Sequence, residues 1–304
     1  MMHSPKKEDL DRIYSILGAT CTEDTSYAKT TIIGWFKERN PLVEVGEDYA
    51  LFSGTTENGK KLYWSPLATS EQALLKGISI LESYGATEIN NVSDYQKEIY
   101  EKLGYEVTPS RDYFEYLYTP ESLIELKGKK YHSKRNFING FTTPYEFRTY
   151  NENDRENLNE LLFQWSYLHI DNGIDFTVKE GWHVHEIHEK ILSDPEIKAL
   201  NAVLDDMDEY NCFADVLTIE DGKIIGFALG EILPNGIGTI YFEKGDINYK
   251  GIYPLLDNAF CKKHFSSGVR YINKQEDMGL EGLRKSKLSY HPVKFAERYL
   301  AKKV

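Results

Sequence analysis

"EIYEKLGYEV", residues 99–108, is the stretch on which the fold turns. It reads as the end of a helix, a stop at Gly104, and the start of a strand, because glycine past the last helical residue closes a helix cheaply. Related phrasing returns near the C-terminus. "EIN" (88–90) precedes "IYEKLGY" (99–105), and "YIN" (271–273) precedes "LRKSKLSY" (283–290). Laying Lys102-Leu103-Gly104-Tyr105 over Lys287-Leu288-Ser289-Tyr290 brings Asn90 within two residues of Asn273 and puts Tyr100 opposite Lys285. Two matched tails, each after a hairpin, a strand and a helix, indicate an internal duplication.

The flanking sequence supports this element order. "EDLDRIYSIL" (8–17) spaces Leu10, Ile13, Tyr14 and Leu17 as one helical face. Asn58-Gly59 between "DYALFSG" and "KKLYWSPLA" marks a hairpin. "SEQALLKGISILESYG" (70–85) is a helix with Ser70 as N-cap and Gly85 past its end. Strands follow at "TEIN" and at 113–118. After residue 145 the pattern restarts: "YEFRTY" as a strand, then the amphipathic "NDRENLNELLFQWSYL", a hairpin turning at Asp221-Gly222, "IGTIYFEKG", and the helix "YPLLDNAFCKKHF". "VRYIN" is a strand and "DMGLEGLRKSKL" a helix; "VKFAERYLA" fits either state. The expected division is an N-terminal domain at 1–125, a basic connecting segment at 126–144 and a C-terminal domain at 145–304.

With 304 residues and 41% hydrophobic content the chain can bury two cores. Its net charge of −12 disfavours wrapping DNA or an anionic membrane, though not a local basic site. Three scattered cysteines without a CxxC pair read as reduced thiols. No apolar leader or run of membrane-spanning length appears, so a cytoplasmic protein is expected.

The phrase at 99–108 resembles the end of a small GCN5-related acetyltransferase (GNAT), where a helical Tyr, here Tyr100, protonates the departing thiolate of coenzyme A. That family also carries a glycine-rich loop that closes on pyrophosphate at a helix start. "WSPLATSEQALL" in the first half has no glycine there, and Pro66 removes a donor. "NYKGIY" (248–253) keeps one glycine among bulky residues. Neither half is a complete acetyl-CoA site, and no cofactor is expected.

"LKGKKYHSKRNFIN" (126–139) resembles the Gly-Lys-Lys … Arg … Asn segment that opens the second half of the catalytic domain in phosphatidylglycerol lysyltransferases. "RDYFEYLYTPESLIELKGKK" before it and "NKQEDMGLEGLRKSKLSYHP" (273–292) extend the resemblance to roughly residues 25–292. It implies an α+β chain of two tandem GNAT-like domains, each a mixed, mainly antiparallel sheet flanked by helices. It also implies a relation to the DUF2156 family and to peptidoglycan-bridge aminoacyltransferases. The implied activity is transfer of an aminoacyl group from aminoacyl-tRNA to an amine or hydroxyl of a small-molecule or peptide acceptor. Alternatives are an acyl-CoA N-acyltransferase with a degenerate loop and a non-catalytic binding module. The lipid-modifying enzymes carry a large membrane segment; none is seen here, which counts against a lipid acceptor.

Ester aminolysis needs a base and positive charge near the developing oxyanion. Glu243 is the preferred base, with Glu231 in an apolar strand as a second carboxylate. Lys285 is the candidate cation, replacing the fold's Tyr. Asp277 or Glu281 could hold the donor's ammonium while Arg284 or Lys285 faces the ester. Lys130, Arg135, Asn139, Asn273 and Tyr290 complete the expected substrate-binding set, with Lys130 and Arg135 in the sharpest basic cluster. Gly279 and Gly282 in one helix suggest a close approach. His183, His185 and His188 lack a carboxylate at metal-ligand spacing, so no metal is expected. Each charged group also fits a solvated surface.

Overall fold

In a computed structural model of the chain, residues 1–56, 58–171 and 194–304 are described. His183, His185 and His188 lie outside them. In chain order the helices are α1 (Lys7–Gly18), α2 (Glu71–Ser83), α3 (Asp94–Lys102), α4 (Pro120–Glu125), α5 (His132–Asn139), α6 (Arg155–Asp171), α7 (Pro195–Asp205), α8 (Met207–Tyr210), α9 (Ile252–His264) and α10 (Glu281–Leu288). The strands are β1 (Leu42–Val45), β2 (Tyr49–Thr55), β3 (Lys61–Ala68), β4 (Glu88–Ser93), β5 (Tyr105–Pro109), β6 (Glu115–Tyr118) and β7 (Glu146–Thr149), then β8 (Phe213–Thr218), β9 (Ile224–Ile232), β10 (Ile237–Gly245), β11 (Tyr271–Asn273), β12 (Lys294–Ala296) and β13 (Arg298–Lys303).

The punctuation acts as its chemistry requires. Gly85 and Gly104 take positive φ just past α2 and α3, and Asp221-Gly222 both turn left-handed between β8 and β9. Ser70 accepts a hydrogen bond from the Ala73 amide to cap α2. The expected helix beginning at Asp277 starts later, at Glu281, because Gln275, Met278 and Gly279 are left-handed and a helix cannot run through them. The undecided C-terminal stretch is two strands.

Two mixed sheets result, ordered β1-β2-β3-β4-β13-β5 and β12-β6-β11-β10-β9-β8-β7. This is the α+β, tandem GNAT-like architecture. β3 and β4 run parallel and meet at Trp64 and Asn90. β10 and β11 run parallel and meet last at Thr239 and Asn273. The two asparagines, two residues out of register in the sequence match, each stand in a parallel pairing, Asn90 opposite Trp64 and Asn273 opposite Thr239.

The chain packs as two units. The first comprises Met1–Tyr118, Ile232–Thr239 and Arg270–Val304; the second comprises Thr119–Glu231 and Ile240–Val269. In the first, α2 and α3 lay Leu74, Ile78, Leu81 and Tyr100 on Leu51, Ile89 and Val92 of the sheet. In the second, α5 and α4 pack on α9. Among the described residues no helix is long and apolar enough to cross a membrane.

Candidate functional site

Residues 22–31 of the first unit are polar yet buried: Thr22, Asp24, Thr25, Ser26, Lys29, Thr30 and Thr31 all lie inside. Such burial is costly unless hydrogen bonds replace water. Asp24 accepts from the Ser26 amide at 2.7 Å and from Arg298 at 2.6 Å. Glu115, fully buried on β6, accepts from the Thr25 amide at 3.1 Å, the Thr25 hydroxyl, Asn273 Nδ2 at 2.8 Å and Arg298 at 2.5 Å. The Arg298 guanidinium thus joins two acids from chain-distant segments. Burial pushes the Glu115 carboxyl up to about 7 against the pull of Arg298, and the Asp24 charge adds to the push.

Past Asn273 the chain makes a strained turn. Gln275 and Met278 are left-handed without being glycine, at about 1–2 kcal/mol each. Asp277, with no exposed surface, holds this turn. It accepts from Arg284 Nε at 2.9 Å and Nη2 at 2.7 Å, from the Gly279 amide at 2.9 Å, from the Tyr116 hydroxyl, and from Arg111 at 3.3 Å. Burial raises the Asp277 carboxyl, but the bonds from Arg284 and Tyr116 win and hold it well below the usual carboxylate range. Asp277 is thereby committed to protein donors. Arg284 also reaches Asp112 at 2.8 Å.

On α10, Arg284 and Lys287 are three residues apart and share the inner face, while Lys285 and Glu281 are exposed. Arg284 pairs with Asp277 and Asp112 rather than with Glu281. The Lys287 ammonium donates to the Lys274 carbonyl at 2.6 Å and to the Glu276 carbonyl. Burial depresses it to about 8. Tyr290 is buried edge-on to Tyr118, with rings 6.4 Å apart. Gly279 belongs to the turn, where a Cβ would lie 3.0 Å from the Asp112 carboxylate; Gly282 faces open space, so the expected close approach is absent there.

In the second unit Glu231 is almost fully buried on β9 and accepts from the Tyr241 hydroxyl at 2.6 Å. Glu243, half-buried, follows Tyr241 on the same face of β10. Lys130 is exposed, with its ammonium 5.0 Å from the Tyr131 ring. Arg135 donates to the Gly128 carbonyl at 2.9 Å and to that of Leu126, fastening the turn before α5. Asn139 ends α5, exposed.

The two acetyltransferase-like landmarks are internally filled. Tyr100 is fully buried, and burial holds its phenol far above the usual value. Its hydroxyl lies 2.9 Å from Ser65 Oγ. Where β3 and β4 part, the Ser65 carbonyl accepts from Tyr27 at 3.0 Å and the Pro66 carbonyl from Gln96 at 3.2 Å. At the start of α9, Gly251 has φ +95, and a Cβ there would lie 2.6 Å from the Phe137 carbonyl oxygen. The chain's own α5 occupies the close approach that the sequence suggested for a phosphate. A cavity of about 540 Å³ remains in the first unit beside the start of α2, lined by Thr20, Cys21, Ser70, Tyr95 and Gln96 among others. Among the described residues no group of three or more His, Cys, Asp or Glu could hold a metal.

Asn273, Asp277 and Arg284 are thus brought into one neighbourhood of the first unit. Glu115, Asp24, Arg298 and Lys287 belong to it and escaped the sequence reading. The available signal was "TEDTSYAKTT" (22–31), a polar run without glycine, proline or asparagine.

Residues 25–302 match the family described as phosphatidylglycerol lysyltransferase, C-terminal. A conserved protein of unknown function from Bacteroides thetaiotaomicron VPI-5482 superposes with a TM-score of 0.84 at 24% identity, over 100% of this chain and 99% of that one. L-PGS from Bacillus licheniformis gives 0.66 at 16%, over 99% and 93%. A tandem GNAT protein from the clavulanic acid biosynthesis pathway gives 0.51 at 9%, over 99% and 97%.

Proposed function

The chain belongs to the phosphatidylglycerol lysyltransferase C-terminal family, and from that premise we propose that it is an acyltransferase whose donor is an aminoacyl ester on tRNA and whose acceptor is an amine or a hydroxyl. Family and fold point to an acyltransferase of the lysyltransferase and GNAT type; the donor and acceptor are our reading.

The observation that carries it is the close approach of Gly251 to the Phe137 carbonyl. A carbonyl dipole at the helix start repels a pyrophosphate, which needs free amides there. The Glu231–Tyr241 pair and Glu243 are the carboxylates we assign to proton abstraction from the acceptor, as buried or half-buried groups on one sheet. Exposed Lys129 and Lys130 are the cations we assign to RNA phosphates. The division at 125 and 145 stands as our proposal for the duplicated halves; the recurring order of elements supports it.

Incubating the protein with bulk tRNA charged with a ¹⁴C amino-acid mixture, plus small amines and alcohols, tests the reading. Label should move to an acceptor in an enzyme-dependent way. Transfer from acetyl-CoA with none from aminoacyl-tRNA would replace it by the acyl-CoA alternative.

A further inference from the structure

We propose that the cavity of the first unit is a binding site for a neutral nucleoside, with the Tyr95 ring as the platform on which the base stacks. The site stands apart from the transfer reaction and does not depend on the acyl donor. Every residue lining it belongs to the Met1–Tyr118 part of the first unit. Its volume of about 540 Å³ falls within the ~300–1,000 Å³ of small-molecule sites. Ala68, Leu74 and Ile99 give it apolar surface, and Thr20, Thr22 and Ser70 give it hydroxyls. Among the described residues that line it there is no lysine or arginine, and Glu71 brings the only formal charge, a negative one. A phosphate would meet repulsion there and no counter-ion. Ser70 Oγ already takes the Ala73 amide at 3.2 Å, which withdraws a donor that an anion would use.

Tyr95 is fixed at one end and open at the other. The residue is 57% exposed, yet burial raises its phenol, with a bond to Ser93 opposing the rise and Asp24 and Cys21 adding to it. The hydroxyl end is tucked in beside Cys21 while the ring stays accessible. Gln96, 1% exposed, holds it there. Its Nε2 donates to the Tyr95 hydroxyl at 3.3 Å and to the Pro66 carbonyl at 3.2 Å. Its Oε1 accepts from the Ser65 hydroxyl at 2.8 Å and from the Ser93 amide at 3.1 Å. All four hydrogen-bonding positions of the amide are used. A tyrosine that merely covers surface needs no such mount. A ring held in advance loses little entropy when it takes a flat partner. Thr22, 6% exposed, accepts from the Asp24 amide at 3.3 Å, and its hydroxyl proton remains for a ribose oxygen.

Gln96 also limits the length of the ligand. Together with the Tyr27 hydroxyl on the Ser65 carbonyl, it closes the gap between β3 and β4. A long arm such as the pantetheine of coenzyme A cannot thread between the strands, and a compact molecule fits the space that is left.

Cys21 is exposed on the cavity wall and reports occupancy, while partly buried Cys212 serves as the reference. The full chain is alkylated with iodoacetamide in the presence of adenosine, guanosine, cytidine or uridine at millimolar concentration, and the rate at each cysteine is read by mass spectrometry. At least one nucleoside should slow Cys21 several-fold and leave Cys212 unchanged, and its 5′-monophosphate should protect far less. Tyr95→Ala should raise the half-protecting concentration roughly tenfold, whereas Tyr95→Phe, which keeps the ring, should stay within a few-fold of the parent. Thermal melts check that both variants fold. Saturation-transfer NMR on the unaltered protein needs no variant and should mark the base protons more strongly than those of the ribose. No protection by any of the four, equal protection by the monophosphate, saturation weighted to the ribose, or a folded Tyr95→Ala protein that is protected like the parent overturns the proposal.

Discussion

Arg298 is 5% exposed and stands between Asp24 and Glu115. Breaking a buried ion pair costs more than the pair contributes, because the stranded charge stays buried. Arg298→Met should therefore destabilise by about 3–5 kcal/mol, seen as a lowered urea midpoint. Glu115 makes a prediction in pH. Its folded carboxyl sits near 7, above the unfolded value of ~4.3. Between those values the folded chain holds the extra proton, so this contribution is full below the lower value and is lost as pH rises through the upper one. Urea midpoints from pH 5 to 8 should show a falling component that Glu115→Gln removes. An unchanged slope in that variant would assign the pH dependence to other groups.

Two glycines at helix starts have opposite roles. Gly251 opens α9 with φ +95 against the Phe137 carbonyl, so alanine there meets both backbone strain and a clash. Gly251→Ala should lower stability by more than about 1 kcal/mol. Gly282 lies in the first turn of α10 with nothing within 4 Å of a Cβ. Gly282→Ala should be neutral or stabilise by up to about 1 kcal/mol through helix propensity. Thermal melts of the two variants, shifting in opposite directions, check the reading. The sequence showed both glycines; only the neighbour of each, Phe137 in one case and solvent in the other, separates them.

β13 lies between β4 and β5 in the first sheet, antiparallel to both. Removing residues 298–304 would delete an interior strand and the Arg298 guanidinium together. Circular dichroism and denaturant titration should show that such a chain fails to fold cooperatively, whereas removing Val304 alone, 97% exposed, should be silent. The whole molecule also predicts its response to coenzyme A. With Phe137 against Gly251 and Tyr27, Gln96 and Tyr100 filling the gap between β3 and β4, calorimetry should find no micromolar binding. A tight one-to-one complex would require those contacts to open.

What the sequence determined by itself is local or periodic: the hairpin at Asp221-Gly222, the stops at Gly85 and Gly104, the amphipathic helices, and the recurring order of elements. These follow from backbone conformations and repeat spacings that neighbouring residues specify alone. Only the tertiary structure decided that the last strand enters the first sheet, that Asp24, Glu115 and Arg298 form one buried ionic cluster, and that Lys287 rather than Lys285 turns inward. Charge on a side chain is legible in sequence. The partners that let it be buried come from segments up to 274 residues apart, and strand pairing brings them together.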